Sequence, residues 1–318
     1  MFIKPAFRLV RDGTNFHFMR GRFAGLIVSA VLSIASLILF FHPGLNLGID
    51  FKGGIVMEVK TPAAADIAAI RAALSAAGLH EPGVQRFGGE DQIAIRLEAQ
   101  ATEAATQQVV TTVRTALDKA QPGSKIQRTD AVGASVSAEL FQDGMLALGL
   151  SLLMILVYIW FRFEWQFAVG AVVTLILDVT KAIGFLVLTR FDFDLVMVGA
   201  ILTVIGYSTN DKVVVYDRMR ENLRKYKSMP LRELIDLSIN ETLNRTLGTS
   251  MTLFLASLPL ALFGGSTLSG FAWVMLFGIV VGTSSSIFIA APILLFLGEK
   301  QLRREAQAPA PENAKAAK

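Results

Sequence analysis

Six stretches of this chain are apolar for about the length a helix needs to cross a membrane, and that repetition constrains the fold more than any other feature. A hydrocarbon core of ~30 Å takes about 20 apolar residues in a helix. The stretches are residues 23–41, 145–161, 167–188, 195–216, 247–263 and 271–297. With 53% hydrophobic residues and a mean hydropathy of +0.52, the chain reads as an integral membrane protein. His42-Pro43-Gly44 follows the first stretch in place of a small-residue cleavage pattern, so it reads as an uncleaved anchor rather than a signal peptide.

Lys and Arg set the expected orientation. They gather at Lys4, Arg8, Arg11, Arg20 and Arg22, then at Arg218, Arg220, Arg224, Lys225, Lys227 and Arg232, and again at Lys300, Arg303 and Arg304. Six spans place all three groups on the cytoplasmic side. The links LTRFDFD and GGSTLSG then face outward, as does the long segment after the first span. The expected organisation is a cytoplasmic N-terminus (1–22), a first span (23–41), an outer periplasmic domain (42–140), five further spans (141–299) and a disordered cytoplasmic tail (300–318). The run at 230–239 is amphipathic and is expected on the inner membrane surface. Trp160, Trp165 and Trp273 fall near expected interfaces, as belt anchors do.

The outer segment alternates like strands at GIVMEVK, GVQRF, QIAIRL and residues 125–132, with helical stretches at 63–77 and 102–120. The order β-α-β-β-α-β is the split, ferredoxin-like pattern. The expected fold class is therefore an all-α six-span membrane bundle with a small α+β ferredoxin-like domain inserted after the first span. Basic and acidic residues are interspersed in that domain, which argues against nucleic acid as a partner. The glycines of LNLGIDFKGG suit an elbow between membrane and domain. No Gly-Lys-Ser/Thr is present to make that segment a phosphate loop.

The chain has no cysteine, which excludes disulfides, thiol catalysis and thiolate metal sites. Its three histidines, His17, His42 and His80, lie outside every apolar run and far apart. No metal or cofactor is expected. Asp178 and Asp211 are the conspicuous residues. Each stands inside a membrane-length apolar stretch, where a charge costs roughly 2.5–3.5 kcal/mol on insertion scales. Such a carboxylate is either locked in a structural ion pair or has a task such as proton passage. Asp178 and Lys181 are spaced i, i+3 and can pair on one helix. Lys212 can extend its stem to the cytoplasmic interface, and a direct role beside Asp211 stays open. Gly264, Gly265, Gly278, Gly282 and Ser284 to Ser286 offer small surfaces for close helix packing.

LNLGIDFKGG, EWQFAVGAVVTLILDV, AILTVIGYSTNDKVVVYDRMREN, NETLNRTLGTS and GTSSSIFIAAPILL, taken together, resemble the SecF branch of the SecD/SecF family of bacterial protein-export membrane proteins. That family belongs to the wider resistance-nodulation-division superfamily. The resemblance runs in order from the first span to the sixth. It implies an inner-membrane subunit that pairs with SecD and supports the SecYEG translocon, with YajC and YidC in the same assembly. The proton-motive force would then drive translocation of an unfolded polypeptide, with protons and membrane lipid as the other partners. No covalent chemistry on a substrate is implied. By the same resemblance Asp211 takes the place of the family's proton-passage aspartate, Arg245 that of the arginine near it, and Asp178 that of an acidic residue in a His-Asp-Val pattern. Ser208 and Asn210, together with Lys181 and Lys212, are secondary candidates. Leu177, Lys212 and Lys181 depart from the family pattern. A non-energised scaffold subunit and a small-molecule exporter of the same superfamily are the rival readings. The exporter would have about twice this length and a second outer domain.

Overall fold

The computed structural model describes residues 14–297, apart from residues 80–81, 87–88 and 101. Lys4, Arg8, Arg11, His80, Lys300, Arg303, Arg304 and the expected tail lie outside the described residues.

Helix α1 (Arg22–Phe41) leads into a short helix α2 (Ile49–Lys52) and then the small domain. That domain contains β1 (Gly54–Lys60), α3 (Ile67–Ala76), β2 (Gly83–Arg86), β3 (Gln92–Leu97), α4 (Glu103–Ala120) and β4 (Lys125–Val132). The expected strands coincide with these to within a residue. The four strands form one antiparallel sheet in the order β2-β3-β1-β4. Both helices are capped by the residues that precede them: Asp66 accepts from the Ala69 N–H and Thr102 from the Ala105 N–H. Alternation on β1 and β3 sends Ile55, Met57, Val59, Ile93 and Ile95 inward, where they meet Ile70 and Leu74 of α3 and Val113 and Leu117 of α4. The elbow before β1 needs its glycines. Gly53 and Gly54 have φ of 73° and 137°, and a Cβ on Gly54 would stand 2.6 Å from the Leu97 carbonyl oxygen.

The second half is helical: α5 (Ala134–Arg162), α6 (Trp165–Thr189), α7 (Leu195–Lys225), α8 (Leu231–Phe263) and α9 (Gly265–Ser285), which continues through a π-helical turn (Ser286–Ala290) into α10 (Ala291–Phe296). Five helical segments are long and apolar enough to cross a membrane: α1, α5, α6, α8 and the α9–α10 run from Leu268 to Phe296. The remaining expected span, α7, fourth in chain order, has the length, but its C-terminal half carries Asp211, Lys212, Asp217, Arg218 and Arg220 and falls short in apolarity.

Three expectations change. The run at 230–239 does not lie as a separate surface helix. It is the first part of the 33-residue α8, because its apolar face (Leu231, Leu234, Ile235, Ile239) buries against Val215, Met219 and Leu223 of α7. Gly264 and Gly265 form the turn between α8 and α9, Gly265 at φ 72°, rather than a packing surface. Lys212 does not extend to the interface; it is 1% exposed. Gly278 and Gly282 do make close contacts, against Val204 and Ser208 of α7.

The bundle is inside-out where it meets hydrocarbon. On α1 the buried residues are Ser29, Ser33 and Ser36, while Ile27, Leu32, Ile34 and Ile38 are exposed. Small polar residues bring helices close, and lipid solvates the apolar face. Trp160, Trp165 and Trp273 are also exposed on that surface.

Candidate functional site

The site lies inside the bundle where α6, α7 and α9 meet. A turn-by-turn reading of α6 puts Asp178 and Lys181 on its buried face with Thr174, Leu175 and Ala182. On α7, Ser208, Asp211 and Lys212 all lie on the buried side, because residues three and four apart share a helix face. The small residues of α9 let that helix approach until Ser285 reaches the same point.

Asp178 is the hub. Its Oδ2 accepts hydrogen bonds from Ser208 Oγ at 2.7 Å, Ser285 Oγ at 2.7 Å and Lys212 Nζ at 2.9 Å. Its Oδ1 accepts from Lys181 Nζ at 3.4 Å. Lys212 is further held by the Ser208 hydroxyl and by the Ser208 carbonyl oxygen at 3.3 Å. One carboxylate thus ties three helices, and none of these five side chains exceeds 4% exposure. A buried carboxylate needs this many donors to offset its lost hydration. Two ammonium groups on Asp178 oppose a bound metal cation. Among the described residues no group of three or more His, Asp or Glu side chains is placed to hold a metal.

Asp211 is placed differently. It is 3% exposed, yet its Oδ2 makes no hydrogen bond within the described structure. The Thr246 and Ser286 side chains stand beside it, and Lys212 is the charged group acting on it. Arg245 is not brought to Asp211; it is exposed on α8 and makes no ion pair among the described residues. Asn210 is exposed as well. The structure therefore gathers Asp178, Lys181, Lys212, Ser208 and Asp211, and leaves Arg245 and Asn210 outside.

Sequence reasoning missed Ser285, read only as packing surface, and a second polar junction close to the first. There the Tyr207 hydroxyl meets Ser250 Oγ, and Ser250 Oγ lies 2.7 Å from Thr283 Oγ1, joining α7, α8 and α9. Hydroxyls in a span carry no charge to mark them. Further along α7, the Tyr216 hydroxyl donates to the Ala290 carbonyl at 3.1 Å, within the π-helical turn.

A second polar region joins the small domain to the bundle. Leu47 pairs with Phe193 in an isolated bridge. Asp192 takes an ion pair from Arg96 of β3 and a 2.6 Å hydrogen bond from Asn46 Nδ2. Asp50 Oδ2 accepts from the Leu195 N–H at 3.1 Å. Beside these contacts the open face of the sheet, the start of α7 and the end of α8 enclose a cleft of about 1180 Å³.

Comparison with known proteins bears on both regions. Residues 112–300 match the family described as protein export membrane protein SecD/SecF, C-terminal, and residues 38–61 match the SecD/SecF GG motif. The protein translocase subunit SecF of Rhodobacter capsulatus is 43% identical over 304 residues, covering 92% of this chain and 91% of that one. The subunit of the same name from Rickettsia felis is 41% identical over 299 residues, covering 94% and 97%. The crystal structure of SecDF, a translocon-associated membrane protein from Thermus thermophilus, superposes with a TM-score of 0.83 at 29% identity, over 93% of this chain and 40% of that one. A crystal structure of SecDF in a super-membrane-facing form gives 0.62 at 28% identity, over 99% and 42%. The chain thus spans about two fifths of the solved SecDF chains.

Proposed function

The chain belongs to the SecD/SecF family of protein export membrane proteins, and from that premise we propose that it uses the proton-motive force to promote translocation across the bacterial inner membrane. It acts as the SecF-type partner of a SecD subunit, in an assembly with the SecYEG translocon and with YajC and YidC. In this reading α7 is the fourth of six spans, its polar inner half shielded by α6, α8 and α9. Both termini are cytoplasmic, and the small domain stands in the periplasm. The element order β-α-β-β-α-β and the sheet order β2-β3-β1-β4 support reading that domain as ferredoxin-like. The Rhodobacter capsulatus and Rickettsia felis relatives, each named a translocase subunit and covered over 91% and 97% of its length, support reading this chain as one subunit of a larger assembly.

The observation that carries the proton-coupling reading is Asp211, a carboxylate buried in a membrane-length bundle with an unbonded oxygen. A permanently charged, unbonded oxygen there is costly, whereas a carboxyl that gains and loses a proton has a use for the position. A proton from outside adds to Asp211, the helices rearrange, and the proton leaves inward. Arg245, one residue before the Asp211 neighbour Thr246, is the cation that a rearranged α8 can bring to the ionised carboxylate. One charge crossing 100 mV releases about 2.3 kcal/mol, enough to bias such a two-state change. The small domain moves with the helices through its Asp192 contacts and helps draw the chain outward.

The test is export of a precursor in cells depleted of the native protein and supplied with Asp211→Asn at equal membrane abundance. Export is expected to fail while the complex with SecD still assembles. Normal export would leave Asp211 structural and favour the scaffold reading.

A further inference from the structure

The charges buried where α6, α7 and α9 meet cancel only when Asp211 is counted. Asp178 alone faces two lysines, Lys181 at 3.4 Å and Lys212 at 2.9 Å, which leaves one surplus positive charge. Asp211 follows as the next residue before Lys212 on α7 and lies within its electrostatic reach. Among the described residues the charged groups acting on Lys181 are Asp178 and Lys212, and the one acting on Asp211 is Lys212. The neighbouring groups from α8 and α9 are hydroxyls: Thr246, Ser285 and the adjoining Ser286. Arg245 is exposed and outside this set.

We propose that Asp178, Lys181, Asp211 and Lys212 form one charge-neutral set. Lys212 is then the positioning residue that converts the protonation state of Asp211 into a force between α6 and α7. The proposal rests on the proton-coupling reading and adds the element that senses the proton. While Asp211 is ionised the two lysines are balanced by two carboxylates, and Lys212 stays clamped on Asp178 and Ser208. When a proton adds to Asp211 Oδ2, an O–H bond forms and one lysine charge is left unbalanced in an apolar interior. A buried, uncompensated cation favours any arrangement that returns it to water. The ion pair that Lys212 must loosen is the one joining α7 to α6, so the force falls on that interface. Loss of the proton from the same oxygen restores the balance and the clamp.

The arithmetic makes the test specific. Lys212→Met leaves the set at −1 and Asp178→Asn at +1. Asp178→Asn/Lys212→Met and Asp178→Asn/Lys181→Met return it to zero while abolishing the hydrogen-bonded hub. Two readouts are taken at equal membrane abundance: proton-motive-force-dependent export by the full complex, and heat resistance of the purified protein in detergent. Each single variant is expected to lose export by about 10-fold or more and to melt earlier, as breaking one partner of a buried pair does. Both double variants are expected to regain heat resistance, because the set is neutral again, and to stay poor in export, because the Lys212–Asp178 pair that carries the force is gone. Double variants no more heat-resistant than Asp178→Asn would overturn the proposal, since the hub would then matter for its hydrogen bonds rather than its charge, and export restored by Asp178→Asn/Lys212→Met would overturn it as well, since Lys212 would then carry no force. Export by Lys212→Met at the parental rate would also overturn it. Asp211→Asn/Lys212→Met, a neutral set without a titrating carboxyl, separates the two ideas. It is expected to be heat-resistant and unable to export. If it exports, the proton-coupling reading fails on its own, whatever the heat resistance says about charge balance.

Discussion

Asp194 caps the start of α7, its carboxylate accepting the Met197 N–H at 2.9 Å. Burial and the nearby carboxylates of Asp50 and Asp192 outweigh that bond and push its pKa up to about 6. The folded protein therefore binds this proton more tightly than the unfolded chain does. The stabilising contribution is full below about pH 4, the ordinary carboxylate range, and is lost as the pH rises through 6. Amide exchange at Met197 and Val198, corrected for intrinsic rates, is expected to be slower at pH 5 than at pH 7. Asp194→Asn keeps an acceptor for the cap and is expected to remove the difference; a difference that persists would place its origin in Asp50 or Asp192. The sequence marked the buried acids well, because a carboxylate in an apolar run has no ordinary explanation there. It marked their partners poorly. The stem of Lys212 reaches equally toward the interface or toward α6, and only the position of Asp178 across the gap decides. Arg245 stood out by resemblance, yet the rotation of α8 turns it outward.

At the scale of elements, hydropathy located the spans and missed their ends. Helices α7 and α8 run well past the apolar stretches, to 31 and 33 residues, because their extensions bury one face against each other rather than in lipid, while the start of the 29-residue α5 packs on Phe51 of α2. An amphipathic extension and a surface-lying helix have the same periodicity, so only the partner α7 separates them. Helix contacts also depend on where a side chain is missing. A Cβ on Gly278 would run into the Val204 side chain, and one on Gly184 into Ser36 of α1. Gly206 has nothing within 4 Å of the position a Cβ would take. Gly278→Val is expected to destabilise the bundle by about 1–3 kcal/mol, the usual range for overpacking. Gly206→Ala is expected to be neutral or to gain up to ~1 kcal/mol from helix propensity. Thermal aggregation of the purified variants in detergent checks both. Equal behaviour would mean that α9 is free to shift away from α7.

For the whole molecule, the question is how firmly the small domain is held to the bundle. The domain has its own core, closed by α3, α4 and the sheet, so it can move as a body. Its links are few. Two backbone hydrogen bonds join Gly48 and Asn46 to Phe193, at 2.9 and 2.7 Å, and Asp192 gathers the Arg96 and Asn46 side chains. The Arg96–Asp192 pair is a quarter to a third exposed, and pairs that wet are worth about 0–1 kcal/mol. Such a tether fixes direction without locking it, as a domain driven by small shifts in α7 requires. Asp192→Ala removes the Arg96 and Asn46 links to Asp192 and leaves the backbone bridge together with the Asp50–Leu195 and Asn46–Arg190 hydrogen bonds. The chain has no native cysteine, so spin labels at Thr115→Cys on α4 and Leu188→Cys at the C-terminal end of α6 report the separation cleanly. In the parent a narrow distance distribution is expected, and in Asp192→Ala a broader one with a similar mean. An unchanged width would show that the Leu47–Phe193 bridge and the Asp50–Leu195 bond orient the domain without the ion pair. Force from the bundle would then pass through the backbone at Phe193, next to the cap of α7, rather than through the ion pair.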